Sequence, residues 1–253
     1  MTPARPIANR LLGALLPFAL LAVAACTSPA PAEQAPSGTP TLVLVSFDGF
    51  RWDYATLTET PNLDRLARRG LRAEALIPVF PTLTFPNHFS IATGVWPWRH
   101  GIVANRFPND EGDSWYSLSD RTSVEDGRWY QAEPIWVTAE KAGLRTAAYY
   151  FVGTEADIQG VRPGDWRRFD KEVPGRARVD QVLDWLQRPT DRRPHLVTLY
   201  FEHVDDNSHW YGPGSPESLR AIRQVDAWLG RLLDGIETLP QSDDVYVLVV
   251  SDH

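Results

Sequence analysis

The sequence predicts an α/β fold: a doubly wound, mostly parallel sheet with helices on both faces. Three observations predict it. Short apolar runs rich in β-branched residues recur along the chain without the in-out alternation of a half-exposed strand, as in strands buried on both faces. Stretches with helical periodicity separate them, the pattern of βαβ units. Aspartates and histidines follow several of the apolar runs directly, and ligands bind such sheets at the carboxyl ends of the strands.

Composition narrows the function classes. The 253 residues are 43% hydrophobic and 23% charged, ordinary for a globular chain long enough to bury a core. A formal net charge of -7 speaks against a surface for a nucleic-acid polymer, which needs concentrated basic charge. The single cysteine, Cys26, excludes an intramolecular disulfide and a multi-cysteine zinc cage. Any metal site must therefore use His and carboxylates.

In chain order, residues 1–26 read as a signal peptide: Arg5 and Arg10, an apolar run over 11–25 broken only by Gly13 and Pro17, then Cys26. The run is shorter than the ~20 apolar residues of a spanning helix. Val23-Ala24-Ala25-Cys26 resembles the lipobox of bacterial lipoproteins, which would make Cys26 a lipid-anchored first residue; the alternative is an ordinary cleaved signal. Both readings export the protein, to the periplasm or cell envelope. Residues 27–40, rich in Pro, Ala and Ser, read as a flexible tether, and the folded part is expected over 41–253.

Residues 41–47 form the first predicted strand, ending at Asp48-Gly49. Thr60-Pro61 supplies an N-cap and a first-turn proline for a helix whose Leu63, Leu66 and Ala67 share a face, stopped by Gly70. Pro86 suits the first turn of a helix running to Thr93 and closed by Gly94. A strand over 146–152, a helix over 178–186 and a strand over 195–202 follow. A helix from Pro216 carries the stripe Leu219, Ile222, Val225, Leu229, Leu232 and Leu233, and a last strand over 244–250 ends at Ser251-Asp252-His253. The Gly- and Pro-rich segments 78–97 and 101–127 are long for plain connections and are expected to build a site.

Asp48, Asp205 with His209, and Asp252 with His253 all stand at predicted strand ends. Each aspartate alone reads equally as a turn-former, but oxygen and imidazole donors together suit zinc. Thr84 has two readings. It is an N-cap residue, or a hydroxyl at a helix N-terminus, where negative charge is favoured.

Five segments then carry a resemblance: Ser46-Phe47-Asp48-Gly49, the run from Pro81 to His88, His100-Gly101-Ile102-Val103-Ala104-Asn105, Asp205 with His209 before Tyr211-Gly212-Pro213, and Ser251-Asp252-His253. In this order they resemble the nucleotide pyrophosphatase/phosphodiesterases of the alkaline phosphatase superfamily. The resemblance implies an alkaline phosphatase-like α/β sandwich and two zinc ions, one held by Asp48, Thr84, Asp252 and His253, the other by Asp205 and His209. It implies Thr84 as nucleophile through a phosphothreonine intermediate, Asn105 as donor to a phosphoryl oxygen, and Phe85 as the aromatic that stacks on a nucleotide base. Leu118, Phe169 and Tyr200 are further candidates for that pocket, each with core packing as the alternative. His88, His100, His195 and His203 are assigned supporting positions. The family's zinc pair requires one more downstream His, so the chain is expected to be the N-terminal portion of a longer catalytic domain. The substrate expected is a small phosphodiester or nucleotide. The alternatives are a phosphomonoesterase of the same superfamily and a non-catalytic exported lipoprotein.

Overall fold

The computed structural model describes residues 38–253. The signal peptide, Cys26 and all of the tether before Gly38 lie outside the described residues. Among the described residues no helix is long and apolar enough to cross a membrane.

The elements follow in order: β1 (Thr41–Phe47), α1 (Tyr54–Leu57), α2 (Pro61–Arg69), α3 (Thr84–Thr93), α4 (Pro97–His100), β2 (Arg106–Pro108), β3 (Trp115–Ser117), α5 (Arg121–Val124), α6 (Ile135–Lys141), β4 (Thr146–Tyr149), β5 (Asp165–Arg167), α7 (Gly175–Leu186), β6 (Leu196–Phe201), α8 (His203–Tyr211), α9 (Pro216–Glu237) and β7 (Val245–Val250). Five strands make one parallel sheet in the order β5-β4-β6-β1-β7, and β2 and β3 form a separate antiparallel pair. This is the doubly wound sheet the sequence predicts.

Side-chain alternation along β1 explains why the strand is apolar throughout. Val43, Val45 and Phe47 enter a core with Val179, Val182 and Leu186 of α7 and Ile222, Val225 and Leu229 of α9. Leu44 enters a second core with Phe89 and Ala92 of α3 and Trp136 and Val137 of α6. Helices therefore cover both faces. The parallel register sets Ser46 level with Tyr200 of β6 and Val250 of β7, so three adjacent strands deliver their carboxyl ends to one place.

Four local expectations are corrected. The strand expected over 146–152 stops at Tyr149, because Tyr150 and Phe151 turn to positive φ and leave the pleat. The helix expected from Arg178 begins at Gly175, where any Cβ would meet the Trp228 ring at 2.5 Å; glycine lets α7 and α9 approach closely. The strand expected over 195–202 spans Leu196–Phe201. Thr60 precedes α2, yet its hydroxyl forms no cap. Buried Asp226 of α9 accepts instead from the N–H groups of Asn62 (3.2 Å) and Leu63 (2.8 Å), putting a carboxylate against the positive end of the helix.

His100 shows how the second core constrains the loop that follows it. The ring is fully buried, its Nδ1 accepts from the Ile102 N–H (3.2 Å) and its Nε2 meets Ser90 Oγ (2.9 Å). Burial pulls its pKa down from 6.5 to about 4. The unfolded chain thus takes up this proton near pH 6.5 while the fold refuses it until about pH 4, so stability falls as pH drops through that window. At about 1.4 kcal/mol per pH unit, the loss reaches roughly 3 kcal/mol. Denaturant titrations at several pH values should show stability lost more steeply on acidification in the parent chain than in His100→Asn; an equal pH dependence in both would contradict the assignment.

Candidate metal and phosphate site

The site begins with the turn that ends β1. Asp48 N–H donates to the Phe201 carbonyl (2.9 Å) and the Asp48 carbonyl accepts from Asp205 N–H (3.1 Å), tying β1 to the end of β6 and to α8. Gly49 follows at φ +64°, where a Cβ would lie 3.0 Å from Asp205. Only glycine fits both that backbone and that approach. Its N–H donates to Asp252 Oδ1 (3.1 Å), and Phe50 N–H donates to Ser251 Oγ (2.9 Å). The end of β7 is thereby laced to the same turn.

Three carboxylates consequently share one spot. His253 Nε2 lies 3.3 Å from Asp48 Oδ1, 3.4 Å from Asp252 Oδ2 and 3.8 Å from Asp205 Oδ1. Asp48 and Asp252 are only 2% and 1% exposed, which makes their charges costly. Burial, reinforced by Asp252, pushes Asp48 up to about 6, and burial also raises Asp205. Burial opposes ionisation of Asp252 too, but His88 and then His253 hold it down at about 2. The close contact with Asp48, helped by Asp252, pushes His253 up to about 9. Tyr200 donates its phenol to Asp48 Oδ2 (2.5 Å), and burial with the adjacent Asp48 raises its pKa far above the ordinary value, so it stays a donor.

These groups fit a divalent cation. Asp48 Oδ1 and Asp252 Oδ2 are buried and face only imidazole nitrogens at 3.2–3.4 Å, with no well-formed hydrogen bond to either oxygen, a state that native interiors seldom leave. Only His253 faces all three carboxylates at once. Ligand atoms of Asp48, Asp205 and His253 all lie within 4.8 Å of one another, as do those of Asp48, His88 and Asp252. Oxygen and imidazole donors in such a cluster suit zinc. His88 is the member of this cluster to which sequence reasoning assigned only a supporting position. Its position in the Pro81–His88 segment, four residues after Thr84, was the one available signal.

The other expected residues surround this cluster. Thr84 is the first residue of α3, with Leu83 as the N-cap and no side-chain cap; the reading of Thr84 as a capping residue is thereby corrected. A cavity of about 280 Å³ is lined by Asp48, Thr84, Phe85, Asn105, Leu118, Phe169, Tyr200, Asp205 and His209. His209 stands at its rim, 77% exposed, 3.5 Å from Asp205 across one turn of α8. Asn105 leads into β2 and Leu118 leaves β3, bridged by the bond from Leu118 N–H to the Asn105 carbonyl (2.9 Å). Phe85 N–H donates to Asn105 Oδ1 (3.1 Å), which turns the amide's NH₂ side away from that bond as a free donor. Phe85 rests edge-on against Tyr116 (6.0 Å) and Phe169 against Tyr200 (6.1 Å). The cavity wall also includes Arg121, Glu155, Lys171 and Asp206, which the sequence did not single out.

The family model described as type I phosphodiesterase / nucleotide pyrophosphatase matches residues 42–253. The chain belongs to that family. The human ectonucleotide pyrophosphatase/phosphodiesterase family member 1 is 38% identical over 224 residues, 87% of this chain and 24% of that protein. Human member 7 is 37% identical over 249 residues, covering 94% of this chain and 53% of that protein. Venom phosphodiesterase 2 of Crotalus adamanteus is 37% identical over 227 residues, 89% of this chain and 27% of its own length. The chain thus spans between about a quarter and about half of these phosphodiesterases. Murine member 5 superposes with a TM-score of 0.78 at 31% identity, over 84% of this chain and 57% of that one. An inactive variant of it, solved in complex with AMP, matches equally with a TM-score of 0.78 over 85% of this chain. The parallel sheet flanked by helices is the alkaline phosphatase-like fold of these phosphodiesterase structures.

Proposed function

We propose that this chain carries the catalytic residues of a zinc-dependent phosphodiesterase that cleaves phosphodiester or pyrophosphate bonds in nucleotides and related diesters. The observation that carries the reading is Thr84: it opens α3 with its hydroxyl unused as a cap, and it lines the same cavity as Asp48, Asp205 and Asn105. Two zinc ions, one held by Asp48, Thr84, Asp252 and His253 and the other by Asp205 and His209, would supply Lewis acidity that favours ionised Thr84 and steadies the attacking and departing oxygens.

The chain's own residues do the rest. The Thr84 Oγ1–phosphorus bond forms as the bond to the leaving alcohol or nucleotide breaks, giving phosphothreonine. The N-terminus of α3 favours the negative charge on the phosphoryl group, and the Asn105 NH₂ donates to a non-bridging oxygen. Water then cleaves phosphothreonine, releasing the monoester and restoring the threonine hydroxyl. Phe85, Leu118 and Phe169 offer an apolar wall to a base, and stacking of that kind tolerates any base. The complex of an inactive variant of murine member 5 with AMP supports a nucleotide as the ligand. Tyr200 gives its hydroxyl to Asp48 and only its ring to the pocket.

The cations on the wall favour diester over monoester. Lys171 is bound to both carboxylate oxygens of Asp206 (2.8 Å), and Arg121 is paired with Glu155. Each positive charge is already neutralised, so the wall offers little to the second charge of a terminal phosphate. With zinc supplied, an aryl phosphodiester should be hydrolysed faster than the matching monoester. Thr84→Ala should lose on the order of 10³-fold or more of that rate, and chelation should abolish it reversibly. Preference for the monoester, or a Thr84→Ala rate near that of the parent, would overturn the reading.

We propose in addition that the chain is exported to the periplasm or cell envelope, with Cys26 as its lipid anchor. Metabolic labelling with a fatty acid should mark the chain and fail in Cys26→Ser; labelling that survives the substitution would reject the anchor.

A further inference from the structure

His88 is the buried group whose contacts exceed what a core residue needs. The ring is 0% exposed and lies edge-on to Phe151 (5.1 Å) and Tyr200 (5.3 Å). Its Nδ1 is 2.9 Å from the carbonyl oxygen of Thr84 and 3.2 Å from Asp252 Oδ2, while its Nε2 is 2.8 Å from Ser46 Oγ. Both groups near Nδ1 are acceptors, so Nδ1 carries a hydrogen, bonded to the Thr84 carbonyl and facing Asp252 Oδ2, and Nε2 takes the Ser46 hydroxyl hydrogen in the neutral ring. Ser46 and the Thr84 carbonyl alone would satisfy both nitrogens. The approach to Asp252 is additional, and it joins the residue that opens α3 to a carboxylate at the end of β7.

We infer that His88 is a positioning residue that holds the Thr84 turn and the Asp252 carboxylate in one fixed relation, so that nucleophile and metal cradle are set together rather than separately. The inference rests on the reading of Thr84 as nucleophile and of the carboxylates as metal ligands. Its physical reason is that partners behind a ligating carboxylate orient the ligand, and that a displacement of about 1 Å at the reacting atoms costs about 100-fold in rate. Neither element can shift relative to the other without disturbing a contact of His88. Ser46 extends the tie to β1, two residues before Asp48.

The test is titration of the full chain with Co²⁺, followed by visible absorption, in the parent and in two variants. His88→Phe keeps a buried ring and removes both nitrogens; His88→Asn keeps an N–H donor near Nδ1. We expect His88→Phe to bind Co²⁺ on the order of 10- to 100-fold more weakly, with altered absorption bands, and His88→Asn to recover part of the affinity. With the aryl diester, kcat should fall in His88→Phe while KM holds. Parent-like Co²⁺ affinity and bands in His88→Phe would overturn the inference while leaving the metal site standing. Absence of Co²⁺ bands in the parent would instead overturn the metal site, and the inference with it. Should His88→Phe fail to fold, Ser46→Ala carries the test: it frees Nε2, and weaker Co²⁺ binding supports the tie whereas parent-like binding rejects it.

Discussion

Three aspartates, two of them buried, converge at one place, and their mutual repulsion is the constraint on which the rest of this structure depends. Asp48 and Asp252 are buried and Asp205 closes in from α8, with His253 between all three. A buried carboxylate resists ionisation unless something positive or hydrogen-donating answers it. The protein answers with His253, His88, the Tyr200 phenol and the Gly49 N–H. Two carboxylate oxygens, Asp48 Oδ1 and Asp252 Oδ2, still lack a well-formed hydrogen bond. A cluster so charged and so incompletely satisfied is a poor stabiliser and a good cradle for a cation.

The fold is arranged to hold that cluster against its own repulsion. Parallel pairing of β6, β1 and β7 brings three strand ends level, and helices on both faces clamp the sheet. The start of α8 is fixed by Arg178, wholly buried, whose guanidinium grips Glu202 through two bonds (2.6 and 2.8 Å) and the Tyr200 carbonyl (3.1 Å). Removing one partner of such a pair leaves a lone buried charge, which costs about 3–5 kcal/mol. That pair secures the turn from β6 into Asp205 and His209. On the opposite side, α3 presents Thr84 and sends His88 back to Asp252, so Thr84 and the carboxylates are joined through one side chain.

Much of this was legible in the sequence. Buried parallel strands announce themselves as apolar runs, and aspartates directly after them fall at the ligand-binding edge of the sheet, so Asp48, Asp205 and Asp252 could be read as neighbours. The i, i+4 spacing of Asp205 and His209 survives as one turn of α8. What escaped depends on contacts between residues far apart in the chain. The approach of His88 to Asp252, the phenol of Tyr200 on Asp48 and the pairing of Lys171 with Asp206 have no local signature. The N-cap reading of Thr84 failed because Leu83 takes the capping position, a one-residue shift that propensity does not resolve. The strand expected through Val152 failed because Tyr150 and Phe151 adopt positive φ, which bulky residues rarely do and sequence patterns do not forecast.

The central claim is that Asp48, Asp205, Asp252 and His253 form a metal cradle beneath Thr84. Crystals of the chain grown with zinc, measured on either side of the zinc absorption edge, test it directly. The account predicts an anomalous peak bounded by Asp48, Asp252 and His253, with Thr84 Oγ1 turned toward it. Zinc bound only at exposed histidines elsewhere, with the three carboxylates unchanged, would contradict it.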